Sequence, residues 1–331
     1  MNENWDFLLS EFRRLGGIAD NVCQKEGEYG RGIFSINPIF KSRIFTPSKL
    51  LIKKNDIYLE DNQLRIKKDK EYSQDIRNFF NFYQDYFSWG SGGKENTELF
   101  EFGLSLFNSK LKDLLKKYAL VDIEERHKGK WDNVIKNEFL NARVVKFQEN
   151  TVVAPIWELL NHKVRCLPFI VNGYGISTPN QPALDGELKQ SYNNISPSKR
   201  FFIYGFYSEE TMVFSVPFSI YIEKLGIHFS CEGKDLTSDS IKVKRLSNKI
   251  ILEGLPIADV NHPRLPHDYF DEILTRIDHE HIPKDFLLKI FQLNISIRNK
   301  IIDESSLINS EVAKILTRVL HYEISLIASH N

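Results

Sequence analysis

The sequence predicts an α+β protein in which strand-rich and helical segments occupy separate stretches of the chain. Short β-branched runs broken by glycines fill residues 16–54 and return from residue 151 to about residue 254. Residues 56–87 are charged, with helical spacing in their later part, and amphipathic spacing recurs up to residue 139 and in the last part of the chain, from about residue 265. Runs of strands followed by runs of helices are typical of the α+β class.

The first element is a helix predicted over residues 4–15. Its apolar residues recur at every third or fourth position and therefore share one face. These residues are Trp5, Leu8, Leu9 and Phe12. In the block at 56–139, a loop with the sequence SWGSGGKEN separates helical segments, and residues 131–147 form a further helix candidate.

The second half of the chain repeats the order of strands followed by helices. Apolar runs alternate with Gly, Pro and Asn turns over 151–207, and a β-like stretch follows at 211–231. Residues 240–254 form a hairpin candidate, and the end of the chain is helical. With 331 residues, the chain is long enough for two domains or for one domain with a large insertion.

Composition excludes several classes of protein. Lys plus Arg and Asp plus Glu number 44 each, so no net positive charge favours nucleic-acid binding. The three cysteines lie far apart and form no CxxC motif, which argues against a disulfide framework and a cysteine-rich zinc site. The N-terminus lacks a signal-peptide pattern, and no apolar run approaches the roughly 20 residues of a membrane span. We therefore expect a soluble cytoplasmic protein without a membrane partner.

Three short motifs indicate chemistry only weakly when each is taken alone. Gly30 and Gly32 flank Arg31 between strand-like pieces, but no helix follows, so a plain turn is the simpler interpretation. The segment SWGSGGK lacks the spacing of a phosphate loop. His279 and His281 stand two positions apart, and no third metal ligand lies nearby in the sequence.

An apolar run that ends in Asn161 and His162 leaves three interpretations open. His162 could bind a metal, act as a catalytic base, or lie buried at the end of a strand or helix. Tyrosines and phenylalanines follow between residues 174 and 207, where they suit either a sheet core or a narrow channel for an amine.

Taken together and in order, these motifs resemble the SET-domain methyltransferases, and within them the branch of the Rubisco large-subunit methyltransferase. The resemblance rests on the segments GRGIFS, NARVVKF, PIWELLNH, the Tyr174 region and ELKQSYNNISPSKRFFIYGF. It implies a SET β-fold over residues 1–208, with a knot-like C-terminal segment and a helical insertion at about 56–139. It also implies a mostly helical substrate-recognition domain over residues 209–331.

The resemblance implies S-adenosylmethionine (AdoMet) as the cofactor. The segment around the two glycines would line the cofactor, the Asn-His pair would help form the adenosine site, and an arginine ahead of that pair would hold the cofactor carboxylate. On this chain the matching cofactor-binding residues are Tyr29, Gly30, Arg31, Gly32, Arg143, Asn161 and His162. By this resemblance His162 is neither a metal ligand nor a general base, and no metal is expected.

The resemblance also assigns three tyrosines to methyl transfer. Tyr192 would be the catalytic tyrosine, while Tyr174 and Tyr204 would line a channel for the substrate lysine. A lysine with a pKa of about 10.4 is protonated at neutral pH. Burial in an apolar aromatic channel disfavours the cation and so favours the neutral amine that methyl transfer needs.

The chain departs from the family pattern at several positions. Asn193 follows Tyr192 where the family has glycine, although Asn tolerates a positive φ better than most residues. Other departures concern substrate choice rather than cofactor binding, and these are Trp157, Glu158 and Lys163.

The sequence is therefore interpreted as an AdoMet-dependent protein-lysine N-methyltransferase that acts on a protein substrate. Three alternatives stay open at this point: a protein-histidine methyltransferase of the same fold, a non-catalytic interaction protein that kept the fold, and a chance assembly of turns and core tyrosines.

Overall fold

The computed structural model of this protein describes residues 3–28, 30–164, 166–179, 186–192, 195–235, 242–277, 282–283 and 285–330. Its α-helices in these ranges are α1 (Glu3–Arg14), α2 (Gln74–Phe87), α3 (Lys94–Ser105), α4 (Ser109–Lys117), α5 (Ile123–Arg126), α6 (Trp131–Asn141), α7 (Pro197–Tyr204), α8 (Leu265–Ile277), α9 (Phe286–Ser306) and α10 (Glu311–Ala328).

The strands of the first part of the chain are β1 (Ile18–Asp20), β2 (Val22–Gly27), β3 (Gly30–Ser35), β4 (Arg43–Pro47), β5 (Ile52–Lys53), β6 (Ile57–Glu60), β7 (Gln63–Ile66), β8 (Val144–Phe147), β9 (Asn150–Val153), β10 (Asn161–His162), β11 (Ile170–Asn172), β12 (Gly175–Ser177) and β13 (Glu187–Gln190). The later strands are β14 (Met212–Phe214), β15 (Phe218–Ile222), β16 (Ile227–Cys231), β17 (Val243–Leu246), β18 (Lys249–Leu252) and β19 (Pro256–Asp259).

The chain forms two compact units. The first comprises Met1–Glu98 and Gly129–Tyr192, and the second comprises Leu99–Lys128 and Asn193–Asn331. In the second unit, residues of the helical block therefore pack with the C-terminal part. The sequence-based domains, 1–208 and 209–331, stay a prediction.

The first unit consists of small sheets covered by α1 and α2. Its two four-stranded sheets have the orders β1-β4-β12-β11 and β10-β13-β3-β2, and β5-β9-β8 forms a third sheet. The main core joins the predicted apolar face of α1 to the inner faces of these strands through Leu8, Phe12, Ile33 and Ile44, all fully buried. This burial confirms the predicted face of the first helix.

The second unit combines the strand pair β14-β19 and the sheet β15-β16-β18-β17 with α7, α8, α9 and α10. A buried ion pair crosses its helices, since Arg298 Nε lies 2.7 Å from Glu323 Oε2. Glu323 also accepts a hydrogen bond from the backbone N–H of Ser198 near the start of α7, at 2.7 Å. Because buried charges need partners, this pair fixes how α7, α9 and α10 pack.

Two local expectations are corrected by the structure. The block from residue 56 begins with the β6–β7 hairpin, whose turn residues Asp61 and Asn62 have φ of 47° and 66°, a conformation that Asp and Asn tolerate. The helix candidate at 131–147 ends at Asn141, and β8 follows. Val144 and Val145 pair with β9, because β-branched residues pack well in a sheet.

The predicted α+β class is confirmed by these elements. Helices α2 to α6 lie within or beside the predicted insertion, and α8 to α10 form the predicted helical end. The knot-like segment stays a prediction. No helix in the described part of the chain has the length and apolar character needed to cross a membrane.

Candidate active site

One sheet of the first unit unites the segments that the sequence analysis selected. In the order β10-β13-β3-β2, β13 pairs in parallel with β10 and antiparallel with β3. The glycine segment on β3 and the Asn-His pair on β10 are therefore only two strands apart, although about 130 positions separate them in the sequence.

Gly32 lies against a pair of polar side chains that bridge this sheet. Asn161 Nδ2 donates a hydrogen bond to Glu187 Oε1 at 2.7 Å. A Cβ atom on residue 32 would lie 2.5 Å from Glu187 Oε1 and 2.7 Å from Asn161 Nδ2. Only glycine leaves room for this pair, so close approach, rather than a turn, explains the glycine at this position.

Glu187 fixes the orientation of the Asn161 carboxamide. Its carboxylate is buried and also lies 2.9 Å from Lys189 Nζ through Oε2. Because Nδ2 of Asn161 points at Glu187, Oδ1 points the other way and is oriented to accept a hydrogen bond. Glu187 and Lys189 were not among the residues that the sequence analysis selected.

Gly30 and Arg31 lie at the β2–β3 hairpin. Gly30 pairs with Gly27 across the turn and has a φ of 82°, which favours glycine. The Arg31 side chain contacts the Gly-rich loop at residues 88–93, where its guanidinium bonds Ser91 Oγ. Tyr29, the other predicted residue of this hairpin, lies outside the described residues.

His162 and Tyr192 contact each other at one end of the same sheet. The backbone N–H of Tyr192 donates to His162 Nδ1 at 3.2 Å, and the two ring centroids are 5.1 Å apart. The Tyr192 hydroxyl donates to the backbone carbonyl of Leu160 at 2.7 Å. Through this hydrogen bond to Nδ1 and the ring contact, the half-buried His162 connects β10 to Tyr192.

Arg143 is paired with a buried carboxylate. Its Nη1 lies 3.3 Å from Glu158 Oε2, and its guanidinium lies 4.7 Å from the centroid of the Phe139 ring. Burial, the largest single effect, would lower the pKa of Arg143, but the charge of Glu158, the neighbouring Tyr83 and Tyr192, and the hydrogen bond to Glu158 together outweigh burial, and the net shift is upward. Arg143 therefore keeps its positive charge at this site.

Glu158 receives two further hydrogen bonds. The hydroxyl groups of Tyr83 and Ser88 each donate to Glu158 Oε1 at 2.7 Å. Burial, the charge of Glu158 and the hydrogen bond to it raise the pKa of Tyr83 well above its usual value, so Tyr83 remains a donor. An acidic residue inside the apolar run PIWELL was the only sequence signal for this cluster.

The two predicted channel tyrosines lie in different parts of the fold. Tyr174 is in the turn between β11 and β12, the residue is 80% exposed, and its backbone N–H donates to Asn172 Oδ1. Tyr204 ends α7 in the second unit, where Gly205 closes the helix with a φ of 75°. Burial raises the pKa of Tyr204, which keeps its hydroxyl protonated. The channel roles of both residues stay predictions.

A metal site has no support among the residues that the structure describes. No group of three or more His, Cys, Asp or Glu side chains in that part of the chain could hold a metal ion. His279 and His281 lie outside the described residues.

Comparisons with known proteins give a weak likeness in structure. No family model matches the chain, and no curated protein matches it. The solved SET domain of LSMT bound to lysine and AdoHcy has a TM-score of 0.44 at 10% identity, covering 99% of this chain and 90% of that one. The structure of Rubisco LSMT bound to AdoMet has a TM-score of 0.46 at 12% identity, covering 100% and 91%. At TM-scores below 0.5, neither likeness establishes a function for this chain.

Proposed function

We propose that this chain is a SET-fold, AdoMet-dependent protein methyltransferase that transfers a methyl group to a lysine amine. The observation that carries the proposal is the close approach of Gly32 to the Asn161 carboxamide. The sequence resemblance assigns the glycine segment and the Asn-His pair to one cofactor site, and a shared site requires that they meet. Their order in the sequence does not by itself bring them together.

The residues present fit AdoMet in their chemistry. The guanidinium of Arg143 is a forked donor that suits the cofactor carboxylate. The oriented Oδ1 of Asn161 is an acceptor that suits the cofactor ammonium group. Arg31, held at Ser91, places a second positive charge on the glycine segment. Bound AdoMet would supply an electrophilic methyl group on a sulfonium.

Tyr192 has the hydrogen-bond geometry expected of a residue that orients the reacting groups. Its O–H donates to the Leu160 carbonyl, which fixes the direction of the hydroxyl group. In the proposed reaction the hydroxyl oxygen would orient the amine and the polarised methyl group. A lysine amine has to lose its proton before it can accept a methyl group, and burial beside a sulfonium disfavours the ammonium form.

The test begins with binding and then measures turnover. AdoMet binding to the purified protein is measured by calorimetry, and radiolabelled AdoMet is then incubated with the protein and a cell lysate. We expect binding, a labelled protein band, and loss of that band in Tyr192→Phe and Tyr204→Phe. Hydrolysis of the labelled protein identifies the methylated amino acid, and methyl-histidine would replace lysine as the target in this proposal.

An absence of AdoMet binding by a folded protein would contradict the proposal. It would favour the alternative of a non-catalytic interaction protein, which the departures next to Tyr192 motivate. Retained labelling in both tyrosine variants would instead remove these hydroxyl groups from the mechanism while leaving the methyltransferase assignment intact.

A further inference from the structure

Glu158 is a buried carboxylate that the proposed chemistry does not itself use. It lies in a short 3-10 turn at Trp157–Leu159, directly after the apolar core residue Ile156. A buried carboxylate is unfavourable unless hydrogen bonds and a positive charge compensate it. Glu158 has both, since it accepts from two hydroxyl groups and faces one guanidinium.

The backbone in front of Glu158 is strained. Ile156 has φ 68° and ψ −48°, a conformation that is unfavourable for a β-branched residue, and its side chain is fully buried. Such strain persists only where the surrounding structure enforces it, and it occurs most often at functional sites. Here the strained residue begins the buried turn that carries Glu158.

The two oxygens of Glu158 face different groups. Oε1 accepts from Tyr83 on α2 and from Ser88, the residue that follows α2, both at 2.7 Å. Oε2 faces Nη1 of Arg143 at 3.3 Å. With Oε1 held by two donors, the carboxylate plane cannot rotate freely, and the position of Oε2 is fixed.

Arg143 is confined on two sides as a result. The Phe139 ring lies beneath its guanidinium, and Glu158 lies at one Nη atom. An arginine side chain loses rotamer entropy when it becomes ordered. A guanidinium that is already ordered before the ligand arrives loses little further entropy on binding.

We propose that Glu158, held by the hydroxyl groups of Tyr83 and Ser88, is a positioning residue that orders the Arg143 guanidinium for the carboxylate of the cofactor. This inference rests on the proposed function. It also gives a role to the SWGSGG segment, whose spacing does not fit a phosphate loop. Ser88 bonds Glu158, and Ser91 bonds Arg31, so the loop holds the carboxylate and guanidinium groups of the protein itself.

The test removes the two hydroxyl donors without touching Arg143 or the ligand. Tyr83→Phe combined with Ser88→Ala removes only the two hydroxyl oxygens, and Tyr72→Phe is the matched control. Tyr72 also donates its hydroxyl to a carboxylate, at 3.0 Å from Asp56 Oδ2, but it lies apart from this cluster. Two ligands are compared by calorimetry: AdoHcy, which carries the carboxylate, and 5′-methylthioadenosine, which has no amino-acid group.

We expect the double variant to bind AdoHcy about tenfold more weakly, with the affinity for methylthioadenosine changed less than twofold. The Tyr72→Phe control should bind both ligands as the parent protein does. Equal loss of affinity for both ligands would indicate a purely structural role and overturn the inference. Tighter AdoHcy binding would also overturn it, because Glu158 would then compete with the ligand for Arg143.

A ligand-free measurement separates this inference from the proposed function. In ¹⁵N NMR spectra of the protein without ligand, the guanidinium signals of Arg143 should indicate an ordered side chain in the parent and a mobile one in the double variant. Unchanged order in the double variant overturns the inference even if AdoHcy binds. A third outcome is that the Arg143 guanidinium loses its order in the double variant but neither the parent nor the variant binds AdoHcy or methylthioadenosine. This outcome overturns the proposed function and supports the ordering of Arg143 by Glu158. If the double variant does not fold, Ser88→Ala alone is measured in the same way.

Discussion

Substitution of Gly32 by alanine tests the geometry of the candidate site most directly. The new Cβ would lie 2.5 Å from Glu187 Oε1 and 2.7 Å from Asn161 Nδ2, which is closer than real Cβ contacts. The Asn161–Glu187 hydrogen bond has to open to admit the methyl group. Both stability and cofactor binding should therefore change.

The magnitude follows from two contributions. Overpacking a well-filled site costs about 1–3 kcal/mol. Leaving a buried polar group without its hydrogen bond costs about 1–3 kcal/mol. Because relaxation of Glu187 relieves part of both, we expect a loss of about 3 kcal/mol in the free energy of unfolding of the first unit. For a unit of this size, that loss lowers Tm by about 6–12 °C.

Calorimetric unfolding and AdoMet titration measure both effects on the same sample. Gly173→Ala is the matched control, because a Cβ at that position meets no atom within 4 Å. The control should stay within about 0.5 kcal/mol of the parent, as for an ordinary surface substitution. An unchanged Tm and an unchanged AdoMet affinity in Gly32→Ala would refute the close approach of β3 to Asn161.

Three further predictions concern single groups. Tyr192→Phe should keep the AdoMet dissociation constant within twofold and lower turnover about 100-fold, as loss of one preorganised polar group does; equal turnover in the labelling assay contradicts it. Arg143→Ala should weaken AdoMet binding by about 1.5–3 kcal/mol, the range for a hydrogen bond to a charged group, and an unchanged dissociation constant in calorimetry removes Arg143 from the site. Burial would raise the pKa of Glu101, but hydrogen bonds from His127 and Arg126 outweigh it and lower that pKa. Glu101 then stabilises the fold above its unfolded pKa of about 4.3 and loses this effect as the pH falls through its lower folded pKa. The urea midpoint of Glu101→Gln should therefore fall less steeply than that of the parent below about pH 4.3, and parallel curves would contradict the assignment.

The sequence by itself predicts those helices whose apolar residues recur at the helical period. The spacing of Trp5, Leu8, Leu9 and Phe12 places these residues on one face of a helix, and the structure buries this face of α1. The helices at the end of the chain were predicted for the same reason. Gly30 to Gly32, by contrast, were expected to form a turn, and they lie in strand β3. The helix predicted over residues 131–147 is wrong at residues 144–147. Val144 and Val145 pair with β9, and the spacing of apolar residues within one segment does not show such pairing with a distant strand.

In the candidate site, too, the sequence indicated some features and only the structure showed the others. The resemblance of the sequence to the SET-domain methyltransferases selected Gly32, Asn161, His162, Arg143 and Tyr192 as candidate site residues, and their roles stay predictions. It did not indicate why residue 32 has to be glycine, or that a hydrogen-bonded carboxamide and carboxylate occupy the space of its missing side chain.

Only the tertiary structure decided which groups hold these residues in place. Glu187 is next to Asn161 because β13 lies between β3 and β10, and Glu158 meets Tyr83 and Ser88 across about 70 positions of sequence. Hydrogen bonds and ion pairs depend on distances of about 3 Å between atoms, and the chain brings such atoms together only when its sheets and helices pack. The sequence therefore determined the candidate groups of this site, and the packing of the fold determined their partners, their orientation and their charge balance.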